Sequence, residues 1–155
     1  MEHAGELVEV LASILGTFLL VLAIVWLLVC YLLSKAGGWR RLASDYGNPL
    51  PYTGKVHRGV SGLLRGFAQY RSALVVGVDQ YGLRLEPVAL FKPFHSPLCL
   101  PWSDLVGVRD EEVLKLREVT TLTFRKHPTV TVSLARSCAD WVRTELGGHW
   151  PMAAG

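Results

Sequence analysis

Five histidines, three cysteines and thirteen carboxylates are the side chains that could carry chemistry in this 155-residue chain. His3, His57, His95, His127 and His149 are scattered, and none has the H-x-x-x-H or E-x-x-H partner that would put two ligands on one helix face. No metal site is expected. Ser103, Asp104 and His95 are the residue types of a hydrolytic set, in which a base activates a hydroxyl and a carboxylate orients the base. No G-x-S-x-G elbow accompanies them, and Asp104 beside Ser103 reads more simply as a corner residue. Gly59, Gly62 and Gly66 form G-x-x-G-x-x-x-G, but with Arg65 and Phe67 rather than the Gly-Lys-Ser/Thr of a phosphate-cradling loop. They are expected to form a flexible or bulged connection. No pair of Cys30, Cys99 and Cys138 has metal-motif spacing, and all three sit in apolar settings. They read as small buried hydrophobes of a reducing compartment, with a Cys99–Cys138 disulfide the alternative if the domain faces an oxidising side. No catalytic, cofactor-binding or metal-binding residue is assigned, and the chain is not expected to be an enzyme.

The element that must position everything else is Val10 to Ser34, a 25-residue run without a charge, Pro, Asn or Gln. As a helix it would be roughly 37 Å long, enough for a hydrocarbon core of about 30 Å with some tilt. Only a helix takes such a run through lipid, because its backbone groups must pair within the segment. A cleaved signal peptide would need a basic start and an apolar run of about 7–15 residues. Here the start is acidic and the run far longer, so a retained anchor is expected. Ala12 and Gly16, with Ser13 and Thr17, put small residues at i, i+4 spacing, the pattern that lets two spanning helices approach and form a homodimer. Trp26 lies too deep in the run for an interfacial ring, Tyr31 sits near its inner boundary and Trp39 just beyond.

Charge supplies the direction. Residues 1–34 carry Glu2, Glu6 and Glu9 and no Lys or Arg. Residues 35–78 carry Lys35, Arg40, Arg41, Lys55, Arg58, Arg65 and Arg71 against Asp45 alone, while the rest of the chain is balanced. Basic residues flanking a span favour the cytoplasmic side, so the N-terminus is expected outside and the domain inside the cell membrane.

Gly37-Gly38 breaks the long helix. Trp39, Leu42, Ala43 and Tyr46 then fall at i, i+3, i+4, i+7, one apolar face of two helical turns with Arg40 and Arg41 opposite. Such a helix either lies on the bilayer or packs on the domain. Pro49 and Pro51 end it. Strand periodicity follows: Lys55 to Gly59, Ala73 to Val78, Leu83 to Pro87 with one buried face, Val106 to Arg109, Val113 to Arg117, and a hairpin of Thr120 to Arg125 with Thr129 to Leu134 around Lys126-His127-Pro128. Ser137 is expected to cap a final helix, Cys138 to Leu146, with Trp141 and Val142 on its apolar side and Gly147-Gly148 as its stop. Trp102 and Trp141 are expected in the core, and residues 149–155 to fray.

Several short strands followed by one amphipathic helix is the order of a pleckstrin-homology-like barrel. The ALVVGVDQYGLRL stretch, then HSPLCLPWSDL, resembles uncharacterised bacterial single-pass membrane proteins with a pleckstrin-homology-like, or GRAM-like, domain, as does GGWRRLASDY after a single span. The sharpest motif is Pro101-Trp102-Ser103-Asp104-Leu105, and none is catalytic. The resemblance implies one N-terminal transmembrane helix followed by a mainly antiparallel β domain with a capping helix.

The expected organisation is a short tail at 1–9, a transmembrane helix at 10–34, an amphipathic helix and linker at 35–51, the β domain at 52–147 and a tail at 148–155. The expected function is a non-enzymatic module binding protein or anionic lipid at the cytoplasmic face, with Lys35, Trp39, Arg40, Arg41, Lys55 and Arg58 on lipid and Ala12 and Gly16 between helices. Each basic residue near an anionic surface is worth about 1 kcal/mol. The alternative is a membrane-bound enzyme, or an accessory subunit of one, without a recognisable motif. No cofactor is called for, and nucleic acid is not an expected partner, because the domain is near neutral and has no basic stripe with interleaved aromatics.

Overall fold

The computed structural model describes residues 2–113 and 117–149. Helix α1 spans Glu2–Ala36 and takes in the whole of the expected apolar run. Its last turn holds Lys35, a cation at the negative end of the helix. Among the described residues it is the one helix long and apolar enough to cross a membrane.

Two glycines stop α1 and join it to helix α2 (Trp39–Tyr46). The Gly37 amide donates to the Leu33 carbonyl at 2.9 Å, closing the last turn. Gly38 then takes φ +85°, a left-handed conformation open to glycine at little cost. Both are also places of close approach. A Cβ on Gly37 would lie 2.7 Å from the Ala68 Cβ, and one on Gly38 would lie 2.8 Å from a Val130 methyl. The apolar face of α2 packs on the domain, with Trp39 and Leu42 at 0 % exposure, while Arg40 and Arg41 face outward. Of the two placements open to this helix, packing on the domain is the one observed.

The strands are β1 (Lys55–Leu64), β2 (Ala68–Val78), β3 (Gly82–Pro87), β4 (Leu98–Pro101), β5 (Leu105–Val113), β6 (Arg117–Phe124) and β7 (Val132–Ala135). They form one antiparallel sheet in the order β4-β3-β2-β1-β7-β6-β5. Its two edges, β4 and β5, are separated in sequence only by the short turn Trp102–Asp104. Laid flat, seven strands would put those edges about 29 Å apart, whereas the four steps from Pro101 to Leu105 reach about 14 Å at most. The sheet therefore curls into a half-barrel. Its concave side holds Leu64, Leu74, Leu85, Leu122, Phe124 and Leu134. Helix α3 (Arg136–Leu146) covers the core with Cys138, Val142 and Leu146.

Several expected boundaries move. The first strand does not stop at Gly59 but runs to Leu64, because register shifts around Val60 absorb the glycines as bulges. The Ser61 hydroxyl accepts from the Ser72 amide at 2.9 Å where the ladder is interrupted. The second strand begins at Ala68, five residues earlier than expected. Val106 to Arg109 is part of one longer strand, β5. The expected strand Val113 to Arg117 falls partly on 114–116, outside the described residues. β3 is covered on both faces, since Arg84 is only 6 % exposed and donates to the Leu50 carbonyl at 2.9 Å. α3 starts at Arg136, directly off β7, with Ala135 at its cap position and no side-chain cap, so Ser137 does not serve as one. Gly147–His149 forms a last short turn, and the rest of the expected tail lies outside the described residues.

Candidate functional site

Every residue of α1 from His3 to Val25 is exposed, and Trp26 is the first that is not. From Trp26 onward one side of the helix is lined by a loop of the β domain, residues 88–97. The loop descends along the helix. The Trp26 Nε1 donates to the Leu90 carbonyl at 3.0 Å, and the Trp26 and Phe91 rings meet at 4.8 Å. Five residues later the Tyr31 and Phe94 rings meet edge-on at 5.6 Å, and a turn further on the Ser34 hydroxyl donates to the Phe94 carbonyl at 2.5 Å. Ser34 is fully buried, so this bond satisfies a hydroxyl that has left solvent. From the other side the Arg65 guanidinium donates to the Ala36 carbonyl at 3.0 Å, meeting one of the acceptors that every helix C-terminus leaves unpaired.

The loop itself is held from beneath. The Trp39 Nε1 donates to the Ser96 carbonyl at 2.8 Å, and the Asn48 amide to the Pro97 carbonyl at 2.8 Å. His95 is 3 % exposed, with Nδ1 2.8 Å from the Pro93 carbonyl and Nε2 2.9 Å from the Tyr70 hydroxyl. A carbonyl only accepts, so Nδ1 carries the proton and the bare Nε2 accepts from Tyr70. Burial holds this imidazole below its ordinary value, against smaller opposing contributions from the Pro93 and Phe91 carbonyls. Phe94 sits at φ +64°, a conformation that costs a bulky side chain of the order of 1–3 kcal/mol. Its ring is nonetheless half exposed.

Between this loop, α2 and the end of α1 lies a cavity of about 780 Å³. Tyr31 and Phe94 form an aromatic wall, and Arg40, Ser44, Lys92 and Ser96 bring polar groups. Glu86 also lines it, 3.6 Å from the Arg84 guanidinium. Lys35 and Arg40 lie over the Tyr31 ring at 5.7 and 6.0 Å. None of Lys35, Arg40 and Lys92 is in an ion pair among the described residues.

The basic residues expected on lipid divide. Lys35, Arg40 and Arg41 gather at the end of α1. Lys55 and Arg58 lie toward the far end of β1, with Lys55 roughly 30 Å of strand from Leu64, and Lys55 pairs with Glu145 at 2.7 Å. Trp39 departs from the expectation of a lipid-contacting ring, because it is enclosed by Tyr70 and His95 at ring distances of 5.7 and 5.0 Å. Ala12 and Gly16 lie exposed on the bare part of α1, with open space around Gly16. Lys92, Phe94 and Leu90 were not singled out by sequence. The signal that could have found them is a Leu-Phe-Lys-Pro-Phe run in a loop that strand alternation does not explain.

The hydrolytic set is not assembled. His95 is committed to Tyr70 and Pro93, while Asp104 accepts from the Tyr46 hydroxyl at 3.0 Å. The Pro101–Leu105 corner is a clasp instead, since the Trp102 Nε1 donates to the Asp79 carbonyl at 2.8 Å. Trp102 and Trp141 are half-buried against the core. The three cysteines are thiols. No family model, curated protein or solved structure matches the chain.

Proposed function

We propose that this chain is a single-pass membrane protein whose pleckstrin-homology-like domain is held at the cytoplasmic face as a non-enzymatic interaction module. The observation that carries the reading is the place where the domain first touches its own helix. Val10 to Val25 is bare and uncharged, and at 1.5 Å per residue it measures about 24 Å, most of the roughly 30 Å of a hydrocarbon core. The domain first meets α1 at Trp26. On this reading Trp26 lies within about one turn of the inner boundary of the hydrocarbon, near the interface where indole rings are favoured. The acidic start and the Lys35, Arg40 and Arg41 cluster give the same orientation as before.

The pleckstrin-homology-like assignment is supported by strand order. β1 joins a four-stranded half, β1–β4, to a three-stranded half, β5–β7, by pairing with β7, and a helix follows the last strand. The interaction surface is the junction itself, where aromatic, polar and cationic side chains lie at headgroup height.

The test uses the full-length chain in its membrane. It should resist extraction by alkaline carbonate, and reporters fused after Gly155 should be active only in the format that works in the cytoplasm. Release by carbonate would remove the anchor, and the opposite reporter pattern would reverse the orientation.

A further inference from the structure

We infer that the cavity between the 88–97 loop and α2 seats the headgroup of an anionic phospholipid, with its phosphate between Arg40 and Lys92. This deepens the proposed function and rests on α1 spanning a bilayer.

Position argues first. The exposed apolar surface of α1 continues past Trp26 to Leu32, which is 52 % exposed on a face the loop leaves open. Leu90 and Phe94, at 63 % and 50 % exposed, extend that apolar surface from the helix onto the domain. Leu90 lies at the height of Trp26 and Phe94 at that of Tyr31, so the loop dips through the zone where acyl chains give way to headgroups. A lipid beside α1 would have its chains against Leu32, Leu90 and Phe94 and its headgroup at the mouth of the cavity.

Charge argues second. Arg40 and Lys92 converge on the cavity from two different elements, and Lys35 stands beside them over Tyr31. Glu86, the carboxylate in the lining, is already opposed by Arg84. His95 is neutral and turned to Tyr70, so it adds no charge of its own. An anion is therefore the ligand this wall favours, and the guanidinium of Arg40 suits a phosphate in particular. Phe94 argues third. It is held at φ +64° with its ring against Tyr31 on one side and half in solvent at the rim of the cavity on the other.

The experiment reconstitutes the full-length protein in phosphatidylcholine nanodiscs containing a trace of headgroup-photoactivatable phosphatidylglycerol, with the phosphatidylcholine analogue as comparison. Crosslinks are mapped by mass spectrometry. The phosphatidylglycerol probe should label the 26–44 and 86–97 segments several-fold more than the phosphatidylcholine probe. Arg40→Glu and Lys92→Glu should each lower that preference more than fivefold, since losing one cation near the surface accounts for about fivefold and the reversal also adds an anion. Arg40→Lys and Lys92→Arg should keep most of it. Both sites are on the surface, and unchanged thermal unfolding would separate lost binding from lost fold. Equal labelling by the two probes, or labelling indifferent to charge reversal, would overturn the site while carbonate resistance leaves the anchor standing. Loss of carbonate resistance would overturn the anchor and the site together. Displacement by soluble glycerol phosphate would also overturn it, because the cavity would then take a free phosphate ester.

Discussion

The indole Nε1 of Trp26 donates to the carbonyl oxygen of Leu90 at 3.0 Å, tying the apolar helix to a loop of the β domain. With the Trp26–Phe91 ring contact at 4.8 Å, it marks where the bare part of α1 ends and the part clasped by the domain begins.

Trp26→Phe keeps a ring against Phe91 and removes the donor, at a cost of about 1 kcal/mol. Trp26→Ala removes both and should cost about 2–3 kcal/mol. Amide hydrogen exchange in nanodiscs reads this directly. Amides of the 89–96 loop should exchange roughly fivefold faster in the first variant and more than tenfold faster in the second, with the β2 amides unchanged. Equal protection in all three proteins would mean that the loop does not need the helix.

Gly38→Ala puts a Cβ 2.8 Å from a Val130 methyl on a backbone at φ +85°. The left-handed conformation alone costs an L side chain about 1–2 kcal/mol, and the contact adds to it. The midpoint of thermal unfolding should fall by at least several degrees. A stabilised Gly38→Ala protein would show that the joint does not take this conformation.

Acid should weaken the fold through His95. Its folded-state value is depressed, so above the unfolded value of about 6.5 the ring is neutral in both states and nothing is lost. As pH falls below about 6.5 the unfolded chain takes up a proton that the buried ring resists, and stability declines by up to about 1.4 kcal/mol per pH unit. Denaturant unfolding at pH 7.5 and 5.5 measures it. His95→Phe should be less stable at neutral pH, because the Tyr70 hydroxyl loses its acceptor, yet its stability should vary less between the two values. An unchanged slope would place the titration elsewhere.

Cys138 is 1 % exposed, and burial pushes its thiol up to about 12. Cys99 is half-buried and also raised, by burial first and by Asp79 second. A maleimide at pH 7.5 should therefore label Cys99 first and reach Cys138 only as α3 detaches or the domain unfolds. Faster labelling of Cys138 would contradict the packing of α3 on the sheet.

What could be read in advance followed from periodicity within one element. The uncharged run made α1 plain, and Trp39, Leu42 and Tyr46 at helical spacing gave both α2 and its apolar face. ALVVGV and the alternation around Leu83 and Leu85 marked two strands. What stayed hidden depended on contacts between distant segments. β1 looked finished at Gly59 because glycine in a strand reads as a break, whereas here bulges carry the ladder through to Leu64. Trp39 read as an interfacial ring, since an indole beside an apolar helix suits lipid and core equally well. Only the fold brings Tyr70, His95 and the Ser96 carbonyl around it. Arg84 alternates with apolar neighbours and so read as solvent-facing, until the chain at Leu50 laid a carbonyl across it. The cavity was least visible, because Arg40 and Lys92 come from segments that sequence gives no reason to pair.

The Gly37–Gly38 joint has a consequence for reach. A domain on a flexible linker sweeps a volume set by the linker's length. Here two residues, both crowded by the β domain, stand where a linker would be, and Arg65 latches the last carbonyl of the helix. With α1 in a bilayer, the domain turns only as the helix turns and travels only as the helix diffuses in the plane. Its encounters become a two-dimensional search at fixed height, confined to molecules that come to the membrane surface themselves.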